Sequence, residues 1–234
     1  MRLHTRPAGA RRPALPPVSR RLAWALALVA CPAWVQAQGA PGVPPAAATA
    51  AAPRSTVDVL GTKFDSEITL AGQRLQLNGA GVRFRAVFRV YAAGLYLTQK
   101  AQTPQAVLTA PGPKRLNIVM LRDIDANELG KLFTRGMEKN ASREDFVKSI
   151  PGTIKMGEIF AMKKRLASGE SFQVDWIPGQ GTTILINGKP AAEPIKEPEF
   201  YSSLMKIWLG QEPADANLKD ALLGKMPPGN ETGT

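Results

Sequence analysis

The chain has very few of the residues that most often carry enzyme chemistry. Its 234 residues include one cysteine, Cys31, and one histidine, His4, and aromatic residues make up only 6%. Both residues lie in a leader that we expect to be removed. A mature chain starting at Gln38 then has no His/Cys metal site, no disulfide, and neither a Ser-His-Asp nor a Cys-His catalytic group. Proton transfer would fall to carboxylates, lysine or tyrosine. We expect no metal and no cofactor.

Acidic residues are absent from the first 37 positions, which contain six arginines. The arginines end at Arg21, an apolar run follows over Leu22–Ala30, and small residues precede the end of Val35-Gln36-Ala37. This pattern is typical of a secretion signal, residues 1–37, cleaved after Ala37. The apolar run is about half as long as a membrane-spanning helix. We therefore expect an exported, periplasmic or secreted protein without a transmembrane helix in its mature chain.

A second processing route fits the same segment. Leu28-Val29-Ala30-Cys31 matches a lipoprotein box, in which Cys31 would be lipidated and become the first mature residue. Ser19-Arg20-Arg21 loosely matches a twin-arginine signal, although Ala23 occupies a position where a bulky apolar residue is usual. The sequence leaves the export route open between these alternatives.

The strong positive charge belongs largely to the leader. The whole chain carries +11, but without the six leader arginines 24 basic residues face 19 acidic ones, a net charge of +5. Such a balance does not indicate a nucleic-acid partner. The run Lys163-Lys164-Arg165 is interpreted as the polar end of a helix, where cations interact favourably with the helix dipole.

Composition divides the rest of the chain into three parts. Residues 38–54 are rich in proline and alanine and form a linker that cannot bury a core. Residues 55–224 form the folded domain, and residues 225–234 form a frayed tail. Overall, 44% hydrophobic and 21% charged residues are typical of a globular protein.

The first half of the domain alternates between apolar and polar residues, which predicts strands. Short strands are expected before a predicted turn at Asn78-Gly79, and the clearest alternation then runs as one strand from Val82 to Tyr91. In that strand the basic side chains share one face with Tyr91. They are Arg83, Arg85 and Arg89.

Helical spacing follows. Asp125 with Glu128 forms a capping box for a first helix, and Ser142 begins a second, which we expect Pro151-Gly152 to break before a third. Residues 172–186 then predict a hairpin, and helices follow from Pro198 and Asp215. Strands, helices, strands and helices in this order predict an α+β domain with an antiparallel sheet.

Two features could form a binding site. The three arginines beside Tyr91 could bind a carboxylate if helices cover their face, or they could lie on a solvated sheet surface. Large apolar residues at helical spacing could form the core or line an apolar ligand cavity. They are Phe133, Phe160, Met162, Ile207 and Trp208.

Several segments of the domain resemble the chalcone isomerase-like family, in its exported bacterial branch. They are Gly79-Ala80-Gly81-Val82-Arg83, Val90–Leu97, Leu121-Arg122-Asp123 through Glu128, Ser202-Ser203-Leu204, Leu209-Gly210-Gln211 and Leu218-Lys219. The resemblance implies an open-faced β-sandwich, in which a large antiparallel sheet carries a helical layer on one face and a ligand cleft lies between them.

The same resemblance, taken residue by residue, keeps one polar residue of the family's active site. The active-site arginine falls on Arg83, whereas the family's threonine, lysine, tyrosine, asparagine and second threonine fall on Tyr91, Met120, Leu129, Gly136 and Ile207. No confident catalytic residue is left. The ligand-binding candidates are Arg83, Tyr91, Leu129, Ile207 and Trp208.

Three functions fit this pattern. The first is a non-catalytic binder of an apolar molecule with an anionic head, such as a fatty acid, held by Arg83. The second is an isomerase, an intramolecular lyase, acting on a chalcone-like substrate. The third is a cell-envelope interaction module without a ligand. The sequence favours the binder over an enzyme and does not specify the ligand or the oligomeric state.

Overall fold

The computed structural model describes residues 55–225. The predicted signal peptide 1–37 with Cys31, the linker 38–54 and all of the predicted tail except Lys225 lie outside the described residues. The strands of the described range are β1 (Thr56–Val59), β2 (Thr62–Asp65), β3 (Glu67–Leu70), β4 (Gln73–Arg85), β5 (Phe88–Leu97), β6 (Lys114–Met120), β7 (Ile124–Asp125), β8 (Arg165–Leu166), β9 (Ser171–Ile177), β10 (Gly181–Ile186) and β11 (Lys189–Pro190). The helices are α1 (Pro104–Thr109), α2 (Ala126–Asn140), α3 (Arg143–Lys163), α4 (Pro198–Leu209) and α5 (Ala216–Leu222).

A seven-stranded antiparallel sheet, in the order β11-β10-β9-β6-β5-β4-β3, forms the centre of the domain. Alternation sorts its side chains: along β6, Leu116, Ile118 and Met120 are buried against the helices. Arg115 lies on the opposite face and pairs with Asp175 of β9. The α+β fold with helices over one face of a large antiparallel sheet is thus confirmed.

Two apolar clusters hold the layers together. The larger one joins β5, β6, β9 and β10 to α2, α3 and α4. The smaller one lies on the opposite face of β4 and β5, where the β1–β2 hairpin contributes Val59 and Phe64. None of the helices in residues 55–225 is long and apolar enough to cross a membrane.

Local capping signals determine where the helices begin. The Asp125 carboxylate accepts a hydrogen bond from the Glu128 amide at 2.9 Å, and the Ser142 hydroxyl accepts one from the Asp145 amide at 3.0 Å. Pro198 is the first residue of α4 and Lys163 the last of α3. These predicted helix boundaries are confirmed.

The predicted turn at Asn78-Gly79 is wrong, because β4 continues through it with a shift in its register against β5. The Asn78 side chain bonds the Ala101 carbonyl and amide and, at 2.7 Å, the Leu222 carbonyl of α5. A Cβ atom on Gly79 would lie only 2.0 Å from the Ala221 carbonyl oxygen. Glycine is present here because α5 lies directly on the strand, and not because the chain turns.

The predicted single strand from Val82 to Tyr91 is also wrong. The chain reverses at Ala86 and Val87, so that β4 and β5 form a hairpin in which Arg83 pairs with Tyr91. Ala86 adopts a positive φ of 52°. The three arginines therefore do not share one covered face: Arg83 is half-buried, whereas the other two, at positions 85 and 89, are exposed.

Helix α3 continues through the expected break at Pro151-Gly152. Its buried residues keep their helical spacing on both sides of the proline, from Ser149 through Met156 to Phe160, and packing outweighs the lost backbone hydrogen bond. A Cβ on Gly152 would lie 2.6 Å from the Phe200 ring, so the glycine allows α4 to approach closely. Met162, expected in the core or a cavity, is 71% exposed.

Candidate functional site

A cavity of about 220 Å³ lies where the β4–β5 hairpin meets the helices. The sheet contributes Arg83 and Tyr91, which face each other in the hairpin ladder. The remaining lining residues belong to α2, α4 and the loop after α4. They are Leu132, Phe133, Arg135, Gly136, Lys139, Ile207, Glu212, Pro213 and Ala214.

Arg83 is the half-buried cation of this cavity. Its Nε atom is buried and has no hydrogen-bond partner among the described residues, and no described carboxylate forms an ion pair with its guanidinium. The guanidinium carbon lies 5.6 Å from the centroid of the Tyr91 ring. Buried donors are usually satisfied, and a guanidinium matches a carboxylate in two parallel hydrogen bonds. An anion in the cavity would satisfy this group.

Tyr91 supplies a neutral hydroxyl. The side chain is completely buried, and its oxygen accepts a hydrogen bond of 2.8 Å from Trp208 Nε1. Burial raises the pKa of Tyr91 to about 12, although the charge of Arg83 and the bond from Trp208 both act to lower it. A tyrosine with this pKa remains protonated at neutral pH and can donate a hydrogen bond to a ligand.

Charged residues of α2 and of the loop after α4 lie around the same cavity. Arg135 and Lys139 are basic, and Lys139 pairs with Glu212. In the described part of the lining, Arg135 therefore remains, like Arg83, without a carboxylate partner. This excess of positive charge favours a negatively charged ligand.

Asn140 fixes the loop wall of the cavity. Its amide nitrogen donates to the carbonyls of Gly136 and Glu212, both at 2.9 Å, and its oxygen accepts from the Glu212 amide at 2.8 Å. A Cβ on Gly210 would lie 2.2 Å from that oxygen, so the glycine makes room for the contact. One side chain thereby joins the end of α2 to the loop after α4.

Gly136 determines how closely the helices approach. A Cβ there would lie 3.1 Å from Ile207 Cγ1, tighter than an ordinary contact. Because Gly136 of α2 has no side chain, Ile207 of α4 can pack against it and close one side of the cavity. This position is the one where the family resemblance places an asparagine.

Of the five ligand-binding candidates, the structure brings Arg83, Tyr91 and Ile207 together around the cavity. Leu129 and Trp208, each 1% exposed, lie in the core and not among the lining residues. Trp208 is linked to the cavity only indirectly, by the hydrogen bond that it donates to the Tyr91 hydroxyl.

Sequence reasoning missed several lining residues. Leu132, Arg135 and Lys139 recur at helical spacing along α2, so their shared face could have been read from the sequence. The loop residues 212–214 carry no such signal, because only the packing of α4 brings them here.

Other features of the described residues offer less chemistry. No cluster of His, Cys, Asp or Glu in residues 55–225 could hold a metal ion. A larger depression of about 770 Å³ lies near Ser55, but both of its lysines are engaged: Lys100 by the backbone carbonyls of Leu77 and Asn78, and Lys225 by Asp220. The cavity at Arg83 combines an apolar lining with an unsatisfied buried donor and is the best candidate site.

Comparison with known proteins agrees with this fold. Among proteins with curated functions, none matches the sequence. Among solved structures, a fatty-acid binding protein of Arabidopsis thaliana is similar, with a TM-score of 0.57 and 15% sequence identity over 73% of this chain and 97% of that one. The sequence model described as chalcone isomerase-like matches residues 56–224. Because this match covers most of the sequence, the chain belongs to the chalcone isomerase-like family.

Proposed function

We propose that this protein is an exported, non-catalytic binder of an apolar carboxylate, such as a fatty acid, whose head group pairs with Arg83. The observation that carries the proposal is the buried Nε of Arg83, which has no partner among the described residues and belongs to a cavity otherwise lined largely by apolar side chains. A structure of the same fold that is a fatty-acid binding protein supports the ligand class.

The surroundings of Arg83 increase the value of a single ion pair. Apolar neighbours such as Leu132, Phe133 and Ile207 exclude water, so a charge-assisted hydrogen bond is screened less than at the surface. Tyr91 adds a neutral donor beside the guanidinium. A carboxylate could thus accept hydrogen bonds from both side chains.

The titratable groups of the cavity favour binding over catalysis. The pKa of Tyr91 is about 12, Glu212 is paired with Lys139, and the other ionisable lining residues are arginines. A general acid or base works best with a pKa near the operating pH, and the pKa of Tyr91 lies far above neutral pH. Arg83 would bind and orient a carboxylate without a proton-transfer partner.

Cavity size sets how much of the ligand is enclosed. At roughly 30 Å³ per non-hydrogen atom, as in liquid water, the 220 Å³ space holds about seven atoms. That number corresponds to a carboxylate and about four further carbons. We infer that the head and first methylenes enter the cavity and that the rest of a longer chain lies outside it.

Calorimetric titration with a series of straight-chain carboxylates tests the proposal. Affinity should rise about fourfold per added methylene until the chain has about five carbons, and then level off. Arg83→Ala should weaken binding by about 1.5–3 kcal/mol, and Arg85→Ala by less, because that side chain is exposed.

Arg74→Ala is the matched control, since Arg74 lies on the same strand but is paired with Glu67 at its far end. Equal affinity of wild type and Arg83→Ala would remove Arg83 from the site. The absorbance of added chalcone should fall no faster than in buffer. If the absorbance falls faster than in buffer, and Arg83→Ala abolishes this fall, the protein is an isomerase and the binding proposal is wrong.

A further inference from the structure

The tip of the β4–β5 hairpin, residues Arg85–Arg89, presents apolar side chains to solvent. Val87 is 84% exposed and Phe88 is 58% exposed. They lie at a convex reversal of the chain, where Ala86 and Val87 form the turn. Exposed large apolar residues at a protruding turn have a cost in water and often indicate a contact surface.

Arginines surround this apolar tip. Arg85 pairs with Phe88 in the ladder, Arg89 is the next residue, and the Arg122 guanidinium lies 5.1 Å from the centroid of the Phe88 ring. All three arginines are exposed. The tip therefore combines an apolar point with a rim of positive charge.

The neighbouring carboxylates are engaged elsewhere. Asp123 pairs with Arg165 at 3.0 Å and accepts a hydrogen bond from the Ser168 amide. Asp215 accepts hydrogen bonds from the amides of Phe84 and Leu218 at 2.9 and 3.1 Å. Neither carboxylate forms an ion pair with an arginine of the tip in the described chain. The positive charge of these arginines is therefore available to an outside partner.

We propose that the hairpin tip docks on an anionic lipid surface, with Val87 and Phe88 entering the acyl region and Arg85, Arg89 and Arg122 pairing with lipid phosphates. A convex apolar point with charge of a single sign matches a negatively charged bilayer. A surface that binds another protein would more often be flat and surrounded by polar groups of both charges.

A second exposed apolar surface serves as a comparison. On α3, Val147, Ile150 and Ile154 are 56%, 40% and 60% exposed. Their surroundings mix both signs of charge, as in the pair of Lys148 with Glu144. This stripe lacks the uniform positive rim, and we expect it to stay in water.

The docking surface lies next to the candidate cavity but does not depend on it. Along β4 the ladder ends at Arg85, two residues beyond Arg83, a distance of roughly 7 Å at 3.3 Å per residue, and Val87 lies in the turn that follows. A bilayer that contacts the tip would face the end of the sheet that carries Arg83 and Tyr91. The proposal nevertheless holds whether or not a carboxylate occupies the cavity.

A dye attached at the tip reports whether the tip itself enters the bilayer, even if another part of the chain also binds the vesicles. In the full chain with Cys31→Ser, which removes the only cysteine, Val87→Cys is labelled with a nitrobenzoxadiazole dye. Ile154→Cys is the matched control, because Ile154 is also exposed and apolar. Vesicles of phosphatidylcholine alone are compared with vesicles that also contain phosphatidylglycerol.

The dye at position 87 should shift to shorter wavelength and brighten with the phosphatidylglycerol vesicles, while the dye at position 154 should not change. Adding Arg85→Gln and Arg89→Gln should weaken the apparent vesicle affinity about 25-fold, roughly fivefold for each arginine near an anionic surface. Salt should weaken it as well, because added ions screen exposed charges.

Three results would overturn the proposal. The dye at position 87 could fail to respond, or it could respond equally to both kinds of vesicle. In the third, lipid-free wild type forms dimers that Phe88→Ser disperses in light scattering, which would assign the tip to self-association. Circular dichroism checks that each variant is folded. Flotation of unlabelled Phe88→Ser with phosphatidylglycerol vesicles is an independent measurement, and less of this variant than of wild type should be recovered with the vesicles.

Discussion

Replacing Arg83 with methionine should stabilise the protein when no ligand is bound. Burying the Nε donor without a partner costs about 1–3 kcal/mol, and methionine removes this donor while keeping an unbranched apolar stem. The lost contact with the Tyr91 ring, 5.6 Å away, was worth about 0.5–1 kcal/mol. The net gain in the free energy of unfolding is about 1 kcal/mol, or roughly 3 °C in Tm for a domain of this size.

Ligand should reverse the order of stability. A carboxylate present at a hundred times its Kd stabilises wild type by about 2.7 kcal/mol, whereas Arg83→Met gains little because the pairing group is gone. Thermal unfolding of both proteins, with and without a five-carbon carboxylate, measures the crossing. Arg74→Met, at an exposed position, controls for loss of an arginine. If Arg83→Met lowers the stability of the ligand-free protein by more than about 1 kcal/mol, Arg83 is a structural residue and the reasoning fails.

Three further predictions concern stability and processing. Arg115→Ala should lower the free energy of unfolding in urea by about 3 kcal/mol, because it leaves the carboxylate of Asp175, which is 3% exposed, without its partner. Arg74→Ala removes an exposed ion pair and should cost at most about 0.5 kcal/mol. The pKa of Glu170 is lowered to about 2 by bonds from Lys163, the Ala167 amide and Asn187. The ionised Glu170 therefore stabilises the fold at pH values above its unfolded pKa near 4.5, and this stabilisation is lost as the pH falls toward 2. Glu170→Gln should lower the free energy of unfolding at pH 7 by about 1–2 kcal/mol and flatten the acid side of the stability profile. An unchanged profile would contradict this. Protein recovered from the periplasm should have the intact mass of a chain that starts at Gln38, whereas an acylated chain starting at Cys31 would replace cleavage after Ala37 by lipid anchoring.

Local signals in the sequence predicted much of the fold. The capping residues Asp125 and Ser142 and the proline Pro198 each act within one turn of chain, so their consequences can be read without the rest of the molecule. The break expected at Pro151 failed because contacts with α4 compensate for the lost hydrogen bond, and such contacts come from residues distant in sequence.

The hairpin tip shows a different limit. The turn at Ala86 and Val87 contains no glycine, proline or asparagine, and Ala86 adopts the positive φ that glycine usually provides. Alternation across it therefore reads as one strand, and three arginines appear to share a face. The single arginine at position 83 could be assigned from family resemblance, but the fate of its neighbours depended on this turn.

The candidate cavity was predictable on its sheet side and less so on its helical side. Arg83 and Tyr91 were assigned from family resemblance, and Ile207 from resemblance and helical spacing, but the hairpin that brings Arg83 opposite Tyr91 was not predicted. The loop wall at residues 212–214 depends on the hydrogen bonds of Asn140, which connect positions 72 residues apart.

A hydrogen bond from Asn78 attaches α5, the last helix of the described chain, to strand β4 of the sheet. Because the Asn78 amide is satisfied by Leu222, synthesis must pass residue 222 before this strand can reach its final state. A shortened product that ends before α5 would leave a buried amide short of an acceptor and the backbone at Gly79 uncovered. Such a product would open more easily at this strand and expose its backbone to proteolysis, so the domain is stable only once its last helix has been made.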